Sequence, residues 1–191
     1  MRTKYSRTWK SIEESCKERC WDVETIYKRA ELILRSYREV CWKTRARARD
    51  VTCELSSLCS SKLEGALIYL ESFAPEKEKD CFQSKVESLF ETKALVKMVE
   101  KAAEAVKKYP RGGGELYEIL FLRYLSEYSH CGKDVWEILN MERSVYYDKQ
   151  KDAILVFAFQ FWAIALPKFK EAFLIGTFDE DEYFDDGDAW E

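Results

Sequence analysis

The residues with the most distinctive chemistry lie together between positions 143 and 151. Arg143, Ser144, Tyr147, Lys149 and Lys151 place five hydrogen-bond donors within nine residues, and such side chains bind phosphate oxygens and base edges. Catalytic chemistry has thin support, because the chain has one histidine, next to Cys131, and no evident nucleophile with its base. We therefore expect a non-enzyme without metal or cofactor, whose chemistry is binding.

The elements that must position these residues have the spacing of a helix-turn-helix. A helix over 115–129, a short helix over 133–140 and a long helix from Arg143 are predicted, with Asn140, Met141 and Glu142 as the turn between the last two. In such a unit the second helix enters the DNA major groove. Positions facing the shared core are Leu139, Met141 and Tyr146, and positions facing away are Arg143, Ser144, Tyr147, Asp148 and Lys151.

Arg143 is the best candidate for reading a base. Its guanidinium can donate two hydrogen bonds to the O6 and N7 atoms of guanine, with Ser144 and Lys151 as secondary contacts. Tyr147 can donate to a phosphate. Arg123, on the preceding helix, either contacts the DNA backbone or pairs with Glu118 or Glu127.

The long helix cannot supply strong phosphate binding alone. Residues 141–156 hold Arg143, Lys149 and Lys151 against Glu142, Asp148 and Asp152. Phosphate contacts must then come from a second subunit or from a basic surface nearer the N-terminus. That surface comprises Arg35, Arg38, Lys43, Arg45, Arg47 and Arg49, although a solvated helix face would carry the same residues.

The charge distribution separates a basic body from an acidic tail. Residues 177–191 contain eight of the 35 acids and no Lys or Arg, which leaves 31 basic and 27 acidic side chains in residues 1–176. A basic body suits a polyanionic partner. The tail either competes with DNA for the basic surface, recruits a partner such as RNA polymerase, or only improves solubility.

Few glycines and prolines and repeated helical periodicity predict an all-α fold. Ile26, Ala30, Ile33, Tyr37 and Val40 form a seam on a helix over 23–40, which pairs with a helix over 51–73 as a hairpin. A third helix spans 82–109, and the glycine-rich segment 109–115 is expected to be a flexible joint. The predicted units are an N-terminal hairpin (1–74), a connecting helix (75–110), a helix-turn-helix domain (111–176) and a disordered acidic tail (177–191).

The most apolar segment, residues 153–166, is shorter than a membrane span and ends at Pro167. We expect it to be a helix buried on most sides or completed by a partner subunit. This helix and the seam are the candidate interfaces of a homodimer. The absence of a signal peptide at the start favours a cytoplasmic protein with no membrane partner, and its seven cysteines are expected to be reduced and packed.

Three segments, LYEILFLRYL, VWEILNM and RSVYYDKQKDAI, together make the chain resemble ArpU-type phage transcriptional regulators. The resemblance is best over residues 109–167. It implies a C-terminal helix-turn-helix like region 4 of sigma-70 factors, binding to double-stranded DNA, contacts with RNA polymerase and a phage or prophage origin in a bacterial host. Glu142 stands where family members carry Ser or Thr, and Asp148 stands where they carry Arg. The alternative is a non-catalytic helical module that binds polymerase or another host protein.

Overall fold

The computed structural model describes residues 6–48 and 93–175, and these form helices with no strand. The all-α prediction is therefore confirmed for the described part of the chain. The helices are α1 (Arg7–Lys17), α2 (Val23–Ala48), α3 (Lys93–Ala105), α4 (Gly113–Leu120), α5 (Gly132–Ile138), α6 (Arg143–Gln160) and α7 (Leu166–Ile175). A 3-10 turn, Val106–Lys108, follows α3, and π-helical turns follow α4 (Phe121–Leu125) and α6 (Phe161–Ala165).

The second half of α6 lies at the centre of the main hydrophobic core. Every side chain from Ala153 to Ala158 is buried, and α1, α2, α3 and α4 all pack against this helix. A helix that is apolar on all sides is stable only when neighbours cover every face. The apolar segment is thus covered by its own chain.

The seam on α2 also faces this core. Ile26, Ala30, Ile33 and Tyr37 are buried in the same cluster as the centre of α6. Most described residues of both surfaces predicted as dimer interfaces are therefore buried within one chain, whereas Phe159, Ala163 and Ile164 are half-buried. A homodimer stays a prediction.

Pro167 does not end the long helix, contrary to the sequence-based expectation. A proline ring clashes with the carbonyl four residues earlier in a regular α-helix. Here the wide π turn Phe161–Ala165 lies directly before it, and the Leu166 N–H donates to the Phe161 carbonyl five residues back. Helical structure thus continues from Arg143 to Ile175.

By length and composition alone Arg143–Glu171 could cross a membrane, but most of its apolar window is buried in the core.

The glycine-rich segment forms a packed corner and not a flexible joint. Gly112 adopts a left-handed conformation (φ 74°), and Gly113 begins α4 against the turn that ends α3. A Cβ atom on Gly113 would lie 2.4 Å from the Val106 carbonyl oxygen. The boundary predicted at residue 110 does not separate two cores, because Met98 and Val99 share one cluster with Leu116 and Leu120.

The cysteines differ from one another in burial. Cys16 is fully buried, and desolvation raises the pKa of its thiol to about 11. Cys20 and Cys131 are exposed and Cys41 is half-buried, so the prediction that all seven are packed is wrong for the exposed pair.

Several predictions concern residues outside the described part of the chain. These are the helix over 51–73 and its hairpin pairing, the start of the helix over 82–109, the acidic tail 177–191, Arg49 and the side chains of Lys43, Arg45 and Arg47.

The corner at residues 112–114 gives a matched pair of substitutions. Gly113→Ala should destabilise the fold by about 1–3 kcal/mol, because its methyl group overlaps backbone atoms that cannot easily move. Gly114→Ala meets nothing within 4 Å, and should be neutral or stabilising by up to about 1 kcal/mol through higher helix propensity. Urea unfolding monitored by circular dichroism measures both. Equal losses in the two variants would contradict the packed corner.

Candidate nucleic-acid interface

The connection between α5 and α6 is a tight turn of four residues, 139–142. The Asn140 N–H donates to the Glu137 carbonyl at 3.2 Å, and the Met141 N–H donates to the Trp136 carbonyl at 2.9 Å. This pair of bonds is a Schellman motif, which requires a left-handed residue at the position that Asn140 fills with φ 51°. Asparagine tolerates this conformation better than most residues. The chain therefore reverses within a few residues and α6 begins at Arg143.

A small second core holds α5 and the start of α6 against α4. Ile119, Val135 and Tyr146 are each fully buried in it, and four half-buried side chains surround them. These are Leu122, Trp136, Leu139 and Met141. The predicted core positions Leu139, Met141 and Tyr146 are confirmed. Ile138, the last residue of α5, is 49% exposed.

The first half of α6 presents a solvent-facing surface, which we call the α6 face. All five side chains predicted to face away from the core are exposed, and they define this surface as Arg143, Ser144, Tyr147, Asp148 and Lys151. Val145 is also exposed, at 40%. Tyr146 is the buried residue of this half, and its packing leaves the α6 face exposed.

Arg143 lies over two aromatic rings. Its guanidinium carbon is 5.8 Å from the ring centroids of both Trp136 and Tyr147, within the range of a cation–π interaction. The two rings are 5.9 Å apart and nearly perpendicular. The arrangement restricts the arginine side chain without using its N–H donors. The sequence analysis missed this role of Trp136, although Arg143 and Tyr147, four residues apart on one helix, were a signal that they could interact.

Lys149 does not belong to the α6 face. Its ammonium group forms an ion pair with Glu115 near the start of α4, and both side chains are about two-thirds buried. Lys149 is thus engaged within the chain, and its contact with DNA stays a prediction. The ion pair draws the middle of α6 toward α4.

Arg123 also has a structural contact. Its Nη1 donates to the His130 carbonyl at 2.8 Å, and the guanidinium lies over the Tyr124 ring. The side chain is half-buried and ties the π turn after α4 to the loop before α5, and its contact with the DNA backbone stays a prediction.

Arg38 reinforces the same loop from α2. It donates to the Ser126 carbonyl at 3.0 Å and to the Arg123 carbonyl at 3.2 Å. Arg35 pairs with Glu31 at 2.6 Å. These two members of the predicted N-terminal basic surface are thus engaged within the chain.

Asp152 connects α6 to the beginning of α1. Its Oδ1 accepts a hydrogen bond from the Ser6 hydroxyl at 2.5 Å, while Ser6 caps α1 by accepting from the Trp9 N–H at 2.9 Å. Burial of the carboxyl raises its pKa, although hydrogen bonds from Ser6 and Thr8 oppose that shift. With Lys149 and Asp152 both turned inward, the exposed charges at the start of α6 are Arg143 and Lys151 against Glu142 and Asp148, and the balance is still neutral.

No group of three or more His, Cys, Asp or Glu side chains with the arrangement of a metal site occurs among the described residues. Cys131, next to the single histidine, caps α5, and its N–H donates to the Asp134 carboxylate at 2.7 Å. Hydrogen bonds with Cys131 lower the pKa of Asp134.

Compared with known proteins, the chain matches no family model, no curated protein and no solved structure.

The hydroxyl of Tyr146 is buried without a hydrogen-bond partner among the described residues, and desolvation raises its pKa to about 12. Tyr146→Phe removes an unsatisfied polar group and should leave stability unchanged or increase it. Tyr146→Ala should cost about 3–5 kcal/mol, because it empties the small second core. Thermal or urea unfolding separates these outcomes. A loss above about 1 kcal/mol in Tyr146→Phe would show that the hydroxyl has a partner.

Asp152 should make stability depend on pH in a defined direction. A carboxyl whose pKa is raised by folding binds its proton more tightly in the native state. Its contribution to the free energy of unfolding is therefore fully present at low pH and is lost as pH rises through the folded pKa. Asp152→Asn keeps an acceptor for Ser6 but does not ionise. The difference in melting temperature, Asp152→Asn minus the original chain, should therefore increase as the pH rises from about 3.5 to about 7. A difference that is constant with pH would contradict the assigned environment.

Proposed function

We propose that this chain is a non-catalytic, sequence-specific DNA-binding transcriptional regulator of the ArpU type, encoded by a phage or prophage. In this proposal α5, the Schellman turn and α6 act as a helix-turn-helix similar to sigma region 4, and α6 is the recognition helix. Double-stranded DNA is the partner, in the cytoplasm of a bacterial host. RNA polymerase contacts and a homodimer belong to the same proposal.

The observation that carries the proposal is the division of α6 into two halves. From Ala153 onward the helix is buried in the main core, whereas Arg143, Ser144, Tyr147 and Lys151 are exposed on its first half. A helix anchored at one end can enter the major groove with the other. The small second core fixes the angle at which this exposed half leaves the body.

Arg143 has the features of a base-reading residue. The Trp136 and Tyr147 rings hold its guanidinium, so less side-chain entropy is lost when it binds. The planar guanidinium fits the O6 and N7 acceptors of guanine. Tyr147 lies one turn further along with 41% of its surface exposed, where its hydroxyl can donate to a phosphate.

A second candidate function is supported by exposed apolar side chains where α5 meets α6. Ile138 is 49% exposed, Val145 40% and Tyr147 41%, and the nearby charges balance. An exposed apolar cluster is typical of protein–protein contacts. Under this alternative the chain is a helical interaction module for polymerase or another host protein, and DNA affinity would be absent.

Substitutions at Arg143 distinguish the two functions. We expect the chain to select a preferred duplex from a randomised pool, and Arg143→Ala to weaken binding to that duplex by about 1–3 kcal/mol with little change for mixed-sequence DNA. Arg143→Lys should also lose selectivity, because an ammonium group cannot make the two-pronged contact. Fluorescence anisotropy provides the affinities.

Lys168→Ala is the matched control, because Lys168 is exposed near the far end of the same helical rod. It should leave selectivity unchanged. If no sequence is selected, or if Arg143→Ala retains full selectivity, the proposed role of the α6 face is wrong. Loss of polymerase capture in Ile138→Ser/Val145→Ser, together with no DNA binding, would favour the interaction module.

A further inference from the structure

The balanced charges at the start of α6 leave the source of phosphate contacts open. Arg143 and Lys151 are balanced by Glu142 and Asp148, and Arg35 and Arg38 are engaged within the chain. A protein that binds duplex DNA needs several cationic side chains near the reading element. A candidate source must therefore lie close to the first half of α6 and have free cations.

The beginning of α1 lies beside α6, close to the exposed first half of that helix. The Ser6 hydroxyl bonds to Asp152, immediately after Lys151, and the buried side chains Trp9, Ile12 and Cys16 pack α1 against the main core. Because Ser6 also caps α1, the position of the first helical turn is fixed relative to α6.

Contacts at the other end of α1 establish its direction. The Arg19 guanidinium, just beyond the end of α1, lies 5.2 Å from the ring centroid of Phe159. Ser6 thus meets α6 at residue 152 and Arg19 meets it at residue 159, so α1 crosses α6 with its chain running in the same general direction. The start of α1 is therefore its end nearest to the α6 face.

The side chains that α1 exposes at this end are basic. Arg7 and Lys10 are both exposed, and neither forms an ion pair within the described residues. They are three residues apart, so they lie on the same side of the helix. In the sequence, the first ten residues contain four cations, Arg2, Lys4, Arg7 and Lys10, and no acid.

We propose that Arg7 and Lys10 bind the DNA backbone next to the site read by α6, and that the Ser6–Asp152 hydrogen bond holds them there. The inference rests on the proposed function and identifies its phosphate-binding component. Arg7 and Lys10 would contribute affinity without sequence preference, while Arg143 contributes selectivity. Phosphate binding then does not depend on the few charges at the start of α6.

The test compares two double variants that lose the same charge. Arg7→Gln/Lys10→Gln removes the proposed contacts, and Lys17→Gln/Lys168→Gln removes two exposed cations at the far ends of α1 and of the long helix. Binding of the full chain to a mixed-sequence duplex is measured by fluorescence anisotropy across a salt series. Melting temperatures verify that all the variants are folded.

Each phosphate contact contributes about 0.9 to the slope of log affinity against log salt concentration. We expect Arg7→Gln/Lys10→Gln to reduce the slope by about 1.8 and to weaken binding at least about tenfold at low salt. Lys17→Gln/Lys168→Gln should retain the slope.

The possible results are distinguishable. Equal reductions in both double variants would mean that only net charge matters, and would overturn this inference. An unchanged slope in Arg7→Gln/Lys10→Gln, with DNA binding intact and still selective through Arg143, would overturn the inference and leave the proposed function standing. If the original chain does not bind duplex DNA even at low salt, both are wrong.

Discussion

Burial of the second half of α6 is the constraint on which the rest of the structure depends. The side chains from Ala153 to Ala158 fill the space between α1, α2, α3 and α4, and that packing fixes the direction of the helix. A rigid α-helix rises 1.5 Å per residue. The first half therefore projects from the body in a defined direction, and Tyr146 in the small second core prevents it from moving independently.

Some charged side chains join the helices to one another, and others remain exposed to solvent. Lys149 pairs with Glu115, Arg38 and Arg123 bond to backbone carbonyls, and Asp152 accepts from Ser6. Each of these contacts joins elements that are distant in sequence. Arg143 and Lys151 remain exposed on the α6 face, and Arg7 and Lys10 on the start of α1. The proposed interface is thus composed of charges that the fold does not use.

Local periodicity was sufficient to predict the helices of the C-terminal part, the turn at Asn140 and the exposure of the α6 face. It could not predict which charges are paired, because Lys149 and Glu115 are 34 residues apart and Ser6 and Asp152 are 146 apart. Pro167 was misinterpreted for a related reason. The π turn that accommodates it depends on tertiary packing around Phe161 and Trp162, and local propensity does not report such packing.

The central claim is that the first half of α6 and the adjoining start of α1 form one DNA-binding surface. The most direct test is a titration of the isotope-labelled full chain with duplex DNA, monitored by amide NMR signals. Signals of residues 143–151 and 7–10 should shift in a salt-dependent manner, while those of α3 should not. Shifts confined to other parts of the chain, or none at low salt, would contradict the account.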